Sequence, residues 1–177
     1  VFFKVIFFIF FFTTTLFAEV VNKIIVDGNK RISNETIILF SKIDTGQNIS
    51  ESDLNQALIN LFDTDFFKDV SITLENNIIN ISVLENPIIQ TLSIEGIKKE
   101  KLVEKLTDII KLKSRNSYKK LFAEKDKNLI LNGLRSVGYY FASVDYVVDY
   151  NDNNTVDLTY KVSLGDKATI KDIKFIG

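Results

Sequence analysis

The chain has 177 residues, and 46% of them are hydrophobic, which is enough for one domain of ordinary size or two small ones. Its 22 Lys and Arg against 23 Asp and Glu give a net charge of -1, so nothing electrostatic favours nucleic acid as the main partner. The chain has no Cys and no His, which excludes disulfides, zinc–thiolate sites, thiol nucleophiles and histidine bases.

Residues 1–18 have the order of a secretory signal peptide. A single positive charge at Lys4 precedes an apolar run over residues 5–12, and Ala18 is a small residue at a suitable cleavage point. A membrane-spanning helix needs about 20 apolar residues, and this run is much shorter. We therefore expect cleavage that leaves Glu19 first, and an uncleaved anchor is the alternative.

An alternating apolar stretch that ends in glycine occurs three times. The copies KIIVDG, TLSIEG and IKFIG end at Gly28, Gly96 and Gly177. Alternation predicts a half-buried strand, and glycine allows a tight turn without a Cβ clash. The phrase therefore indicates the start of three repeated units.

The first unit is predicted to continue with two helices and a hairpin. Ser33 is expected to cap a short helix, and Ser50 with Asp53 forms a capping box for a second helix. One face of that helix is apolar, at Leu54, Ala57, Leu58, Leu61 and Phe62. Apolar residues then alternate on both sides of a turn at 75–77, as in a β-hairpin.

The second unit shows the same order. Its helices are predicted to pack through Leu102, Leu106 and Ile109 and through Phe122, Leu129, Ile130, Leu134 and Val137. Alternating strands follow on both sides of a turn at 151–154. Pro87, the only proline, suits a boundary between the units. One continuous six-stranded α+β domain is the alternative.

Candidate chemical sites are few. Asp149, Asn151 and Asn153 have calcium-loop spacing, but Tyr160 stands where a bidentate Glu is needed, so a hairpin turn is the better interpretation. The remaining carboxylates are not paired with a base or a nucleophile, and there is no glycine-rich phosphate loop. We therefore expect no enzyme activity, no cofactor and no metal site.

The segments VDGNKRIS, FFKDV, SVLENP, GYYFASV and GDKATIKDIKFIG, in this order, resemble the first two POTRA domains of the BamA family of outer-membrane β-barrel assembly factors. The resemblance covers essentially the whole chain. It implies an α+β fold of tandem β-α-α-β-β POTRA domains, each a three-stranded mixed sheet with two helices on one face. The expected boundaries are a signal peptide at 1–18, domains at 19–87 and 88–166, and the first strand of a third domain at 167–177.

Asp65 departs from the family pattern, which often has glycine before the aromatic pair of FFKDV. This change is expected to alter a helix C-cap and to leave the function unaffected.

The resemblance also implies a function. The chain would be the periplasmic region of an outer-membrane protein, binding unfolded β-barrel precursors and accessory subunits by β-strand augmentation. In the family the second strand of each domain is the exposed edge, which corresponds here to 70–74 and 144–150. The expected client-binding positions are Val70, Ile72, Leu74, Val144, Tyr146 and Val148.

The partners implied by the resemblance are unfolded outer-membrane β-barrel proteins, periplasmic chaperones and assembly lipoproteins, without nucleic acid. Membrane contact is expected through a C-terminal barrel that these residues do not include. Two alternatives stay open. The chain could be the POTRA region of a two-partner secretion transporter, or a membrane-anchored, division-type scaffold whose units are rigid spacers.

Overall fold

The computed structural model describes residues 19–169. The signal peptide expected at 1–18, and most of the strand expected at 167–177, lie outside the described residues. None of the helices in the described part of the chain has the length and apolar content needed to span a bilayer.

The first unit is a three-stranded sheet with two helices. Its elements, in chain order, are β1 Glu19–Val20, β2 Lys23–Asp27, α1 Asn34–Ser41, β3 Asn48–Ile49, α2 Glu51–Asp63, β4 Phe67–Glu75 and β5 Ile78–Glu85. The three-stranded sheet has the order β2-β5-β4, with β2 parallel to β5 and β4 antiparallel to it. The short antiparallel pair of β1 with β3 adds to this arrangement and was not predicted.

The second unit repeats this topology in its own sheet, with the order β6-β8-β7. Its first strand is again parallel to the central strand, and its second strand is antiparallel to it. The elements are β6 Ile88–Glu95, α3 Glu100–Ile109, α4 Lys120–Ser136, β7 Ser143–Asn151 and β8 Thr155–Ser163. The predicted β-α-α-β-β order is confirmed for both units, and the alternative of one six-stranded domain is wrong.

Local signals explain where several elements begin and turn. The Ser33 hydroxyl accepts the backbone N–H of Thr36 at the start of α1, and Ser50 and Asp53 form the predicted capping box at the start of α2. Asn76 and Asn77 connect β4 to β5 with left-handed φ angles of 52° and 64°, which asparagine adopts more readily than most residues.

The glycine that ends the first strand of each unit has two reasons to be glycine. Gly28 and Gly96 have φ angles of 84° and 89°, a region that L side chains rarely adopt. A Cβ on Gly28 would also collide with the carbonyl oxygen of Val83, and one on Gly96 with that of Val162. The glycine of the repeated motif is therefore needed because the end of the first strand lies very close to the end of the hairpin.

Each unit has its own apolar core. The first core includes Ile37, Leu61, Phe67, Ile79 and Ile81, and the second includes Leu106, Ile130, Leu134, Leu158 and Tyr160. Three residues predicted to face the second core are exposed instead: Ile109, Leu129 and Val137. Along α4 the buried side chains are those of Ala123, Asp126, Ile130 and Leu134, a stripe that misses Leu129 by one position.

A buried carboxylate fixes one loop in each unit. Glu85 Oε1 accepts the backbone N–H groups of Lys30, Arg31 and Ile32 at 2.8, 2.9 and 3.1 Å. Arg31 Nε lies 3.0 Å from Glu85 Oε2 as an ion pair outside hydrogen-bond geometry. In the second unit Asp126 accepts the N–H groups of Lys111 and Leu112 at 2.7 and 2.8 Å, which fixes the connection between α3 and α4.

Candidate functional site

The strands that carry the predicted site residues lie at the edges of the two sheets. Val70, Ile72 and Leu74 are on β4, and Val144, Tyr146 and Val148 are on β7. Each of these strands pairs with the central strand of its sheet on one side only. An edge strand presents N–H and C=O groups to which another chain can bind.

The opposite edge of each sheet is bonded near its start to the connection between the two helices. In the second unit Ile89 donates its N–H to the Asn116 carbonyl at 2.9 Å and accepts that of Arg115 at 2.7 Å. In the first unit Val21, just before β2, makes the equivalent bonds to Gln47 and Gly46 at 2.9 and 2.7 Å. These contacts cover the start of the first-strand edges, so the second-strand edges are the more open ones.

Within residues 19–169, no backbone hydrogen bond connects 68–75 or 143–151 to any segment other than the neighbouring strand of its own hairpin. β4 and β7 are nine residues long each, which is ample for pairing with an extended chain. Along these ranges the outer margin of each sheet is therefore free of other backbone segments.

Two hydrogen bonds to side chains show which backbone N–H groups of β4 and β7 point away from the sheet. The Val70 N–H is donated to Oδ1 of the preceding Asp69 at 3.0 Å, and the Tyr146 N–H to Oδ1 of Asp145 at 2.9 Å. Backbone groups of alternate residues in a strand point to opposite sides, so residues two apart share a direction. We infer that positions 70, 72 and 74, and 144, 146 and 148, direct their N–H groups to the open edge.

The side chains of these same positions face the helices. Val70 and Val144 are buried, and Ile72, Leu74, Tyr146 and Val148 are partly buried against the two cores. The predicted site residues therefore direct their N–H groups to the open edge, while their side chains hold the strand on the domain.

The helix-facing margins of the two edges differ in polarity. Ile72 and Leu74 of β4, with Leu54 and Phe62 of α2, form a partly exposed apolar margin in the first unit. In the second unit the Tyr146 hydroxyl donates to Glu124 Oε1 at 2.8 Å, and Lys127 Nζ lies 3.4 Å from Asp145 Oδ1. Polar contacts thus tie β7 to α4.

The electrostatics of the β7 margin follow from these contacts. Burial, and then the hydrogen bond to Glu124, raise the pKa of Tyr146, so its hydroxyl stays protonated as a donor. The Tyr146 N–H and then Lys127 hold the pKa of Asp145 below its ordinary value, so Asp145 stays an anion at neutral pH.

A cleft lies where the two units meet. Its volume is about 480 Å³, and it is lined by Phe62, Phe67, Lys68, Asn86, Pro87, Tyr118, Lys119, Lys120 and Tyr150. Beside it Asp65 pairs with Lys119 and lies 3.9 Å from Lys111, so an ion-pair cluster joins the units. The lining of this cleft comes from separate segments with no common motif, so the cleft was not predicted from the sequence.

Asp65 has a left-handed φ of 62°, as Gly138 does at the corresponding junction of the second unit with 96°. The departure from glycine at this position therefore keeps the backbone turn and adds a carboxylate at the joint. Within residues 19–169 no group of three acidic side chains is arranged to bind a metal ion.

Comparison with known proteins gives matches over most of the chain. The family model POTRA, described as "Surface antigen variable number repeat", matches residues 19–86 and 87–165. The outer membrane protein assembly factor BamA of Neorickettsia risticii is 25% identical over 94% of this chain and 22% of that protein. BamA of Buchnera aphidicola is 23% identical over 96% of this chain and 28% of that protein.

A solved structure shares the fold. The N-terminal domain of Omp85 from the thermophilic cyanobacterium Thermosynechococcus elongatus is 18% identical, with a TM-score of 0.54 over 82% of this chain and 63% of that one. The present chain spans about a quarter of the length of the two curated relatives.

Proposed function

The chain belongs to the POTRA family and contains two consecutive POTRA domains, and we propose that it binds unfolded β-barrel precursors in the periplasm by β-strand augmentation. The proposal assigns the contact to the open edges of β4 and β7. It is supported by the similarity to the two BamA proteins, which are outer membrane protein assembly factors. Periplasmic chaperones and assembly lipoproteins are the further partners that this role requires.

One observation carries the proposal. The second strand of each sheet has an outer row of backbone groups that no other backbone segment within residues 19–169 occupies. Main-chain hydrogen bonds make little demand on the sequence of the added strand. Such an edge suits an assembly factor, because barrel strands differ widely in sequence but share an extended backbone with alternating polarity.

Proline substitution tests the edge without disturbing the sheet. Ile72→Pro and Tyr146→Pro each remove one outward N–H group that pairs with no neighbouring strand, and the one at Tyr146 is donated to the Asp145 side chain. Proline is tolerated on an edge strand where the N–H is not part of the ladder. Ile72→Ala and Tyr146→Ala are the matched controls, since they remove the same side chains and keep the N–H. The readout is photo-crosslinking of the protein to a peptide of about ten alternating apolar and polar residues.

We expect crosslinking to fall in both proline variants and to persist in the alanine variants. The circular dichroism spectrum shows whether each variant is folded. Equal crosslinking in folded proline and alanine variants would contradict augmentation and favour the alternative in which the units are rigid spacers.

A further inference from the structure

We propose that the cleft between the two units binds an aromatic side chain next to a carboxylate, in the client segment that connects the stretches paired with β4 and β7. The inference rests on the proposed function, because it takes the occupant to be the same strand that pairs with the edges. It adds a side-chain preference to a contact that otherwise uses only backbone groups.

The walls of the cleft suit an aromatic ring. Five of its lining residues are Phe62, Phe67, Pro87, Tyr118 and Tyr150. The rings of Tyr118 and Tyr150 meet edge to face with centroids 6.3 Å apart. Tyr118 is only 6% exposed, but Tyr150 is 70% exposed, so an incoming ring can pack against Tyr150. Aromatic rings associate favourably in such edge-to-face or offset geometries.

The charge of the cleft suits an anion. Lys68, Lys119 and Lys120 line it, and no acidic residue does. Asp65 pairs with Lys119, whereas no carboxylate of residues 20–169 lies within ion-pair distance of Lys68 or Lys120. The cleft therefore carries an excess of positive charge that a client carboxylate would complement.

The position of the cleft identifies the occupant. Phe67 and Lys68 open β4, and Tyr150 lies at the end of β7, so both edge strands have an end at the cleft. Because β7 leads to the cleft and β4 leads away from it, a chain pairing with both would keep a single polarity. Its residues between the two paired stretches would lie at the cleft.

Peptide binding tests the side-chain preference. The probes are a blocked alternating peptide with a central Phe-Glu pair and two partners in which Phe is replaced by Ala or Glu by Gln. Their dissociation constants are measured by fluorescence anisotropy with the purified protein. We compare Lys68→Gln/Lys120→Gln and Tyr150→Ala with the exposed controls Lys98→Gln and Tyr140→Ala, which lie outside the cleft lining.

We expect the Phe-Glu peptide to bind about tenfold tighter than either partner, equivalent to ~1.4 kcal/mol. In the Lys68→Gln/Lys120→Gln variant the peptides with Glu and with Gln should bind with equal affinity. In Tyr150→Ala the peptides with Phe and with Ala should bind with equal affinity. Both control variants should keep the affinity differences of the wild-type protein. Equal affinities for all peptides in the wild-type protein would overturn the inference.

The proposed function is tested separately by the same peptides. If all peptides bind equally well and Ile72→Pro and Tyr146→Pro still weaken their binding, the edge pairing stands and the cleft preference is removed. Absence of binding by any peptide would remove both proposals. If the protein associates with itself and Tyr150→Ala abolishes that association, the occupant of the cleft is a second copy of the chain. This result would also overturn the inference.

Discussion

At the scale of single residues, buried carboxylates hold the loops that shape each domain. Glu85 lies at the end of the central strand of the first unit and accepts three consecutive backbone N–H groups. Burial alone would raise its pKa, but these three bonds together with the charge of Arg31 outweigh burial and lower the pKa from 4.5. The ionised carboxylate is therefore the form that stabilises the loop.

Glu85→Gln should lower the free energy of unfolding at neutral pH by about 1–3 kcal/mol, because a buried, charge-assisted set of hydrogen bonds is weakened. The contribution of Glu85 is present above pH 4.5, its ordinary pKa, and is lost as pH falls through the lower pKa of the folded protein. The difference between wild type and variant in urea unfolding should therefore shrink in acid.

Glu75→Gln, at an exposed end of β4, is the control and should leave stability unchanged. A difference between wild type and Glu85→Gln that stays constant down to strongly acidic pH would show that the Glu85 charge plays no part in holding the loop.

Among the elements, the two edge strands each carry a side chain that covers one of their own outward N–H groups. Asp69 and Asp145 each accept the N–H of the following residue, so one outward donor on each edge is occupied by a side chain. Charged residues on an edge strand also disfavour uncontrolled pairing between folded molecules. In the proposed augmentation a client would displace these carboxylates, and the lost hydrogen bonds would keep its binding weak and reversible.

The glycine at the end of each first strand gives a prediction about sheet geometry. Gly28→Ala should destabilise the protein by more than about 2 kcal/mol, since a positive φ and a collision with the Val83 carbonyl act together. Gly46→Ala is the matched control, because Gly46 has a φ of 85° but open space around it.

Gly46→Ala should cost only the backbone strain, about 1 kcal/mol. Thermal or urea unfolding measures both variants. Equal losses for the two would mean that the close approach to Val83 contributes nothing.

Local signals explain why the elements could be predicted and where prediction stopped. The capping box at Ser50 and Asp53 and the turn at Asn76 and Asn77 act over three or four residues, so sequence alone revealed them. In α4 the adjacent apolar residues Leu129 and Ile130 left the buried stripe ambiguous, and packing buried only Ile130.

The parts of the site that sequence could not reveal depend on contacts between distant segments. The cleft combines α2, β4, β7 and the segment before α4, which are far apart in the chain. The pairing of β1 with β3 involves two residues on each side, too few for a periodic pattern.

At the scale of the whole molecule, a short link and an ion-pair cluster join the two domains. Asn86 donates its side-chain amide to the Asp65 carbonyl at 3.0 Å, and Tyr118 donates its N–H to the Pro87 carbonyl at 2.7 Å. The Asp65 and Lys119 side chains are 42% and 25% exposed, so their pair contributes less than about 1 kcal/mol. This pair is expected to bias the orientation of the domains without contributing much to their stability.

Lys119→Gln should broaden the distribution of distances between the domains and leave the unfolding temperature nearly unchanged. Because the chain has no native Cys, spin labels at Glu51→Cys and Lys105→Cys report that distance without interference. Lys120→Gln removes a neighbouring charge that has no carboxylate partner in the described part of the chain and serves as the control. An unchanged distribution in Lys119→Gln would show that the pair does not restrain the joint.

The most direct measurement is amide hydrogen exchange by NMR, with and without the alternating peptide. We expect the peptide to slow exchange at the outward N–H groups of β4 and β7, at positions 70, 72, 74, 144, 146 and 148. The intervening amides, already bonded within each sheet, should change little. Binding of the peptide with unchanged exchange at the outward positions would show that it does not pair with these edges.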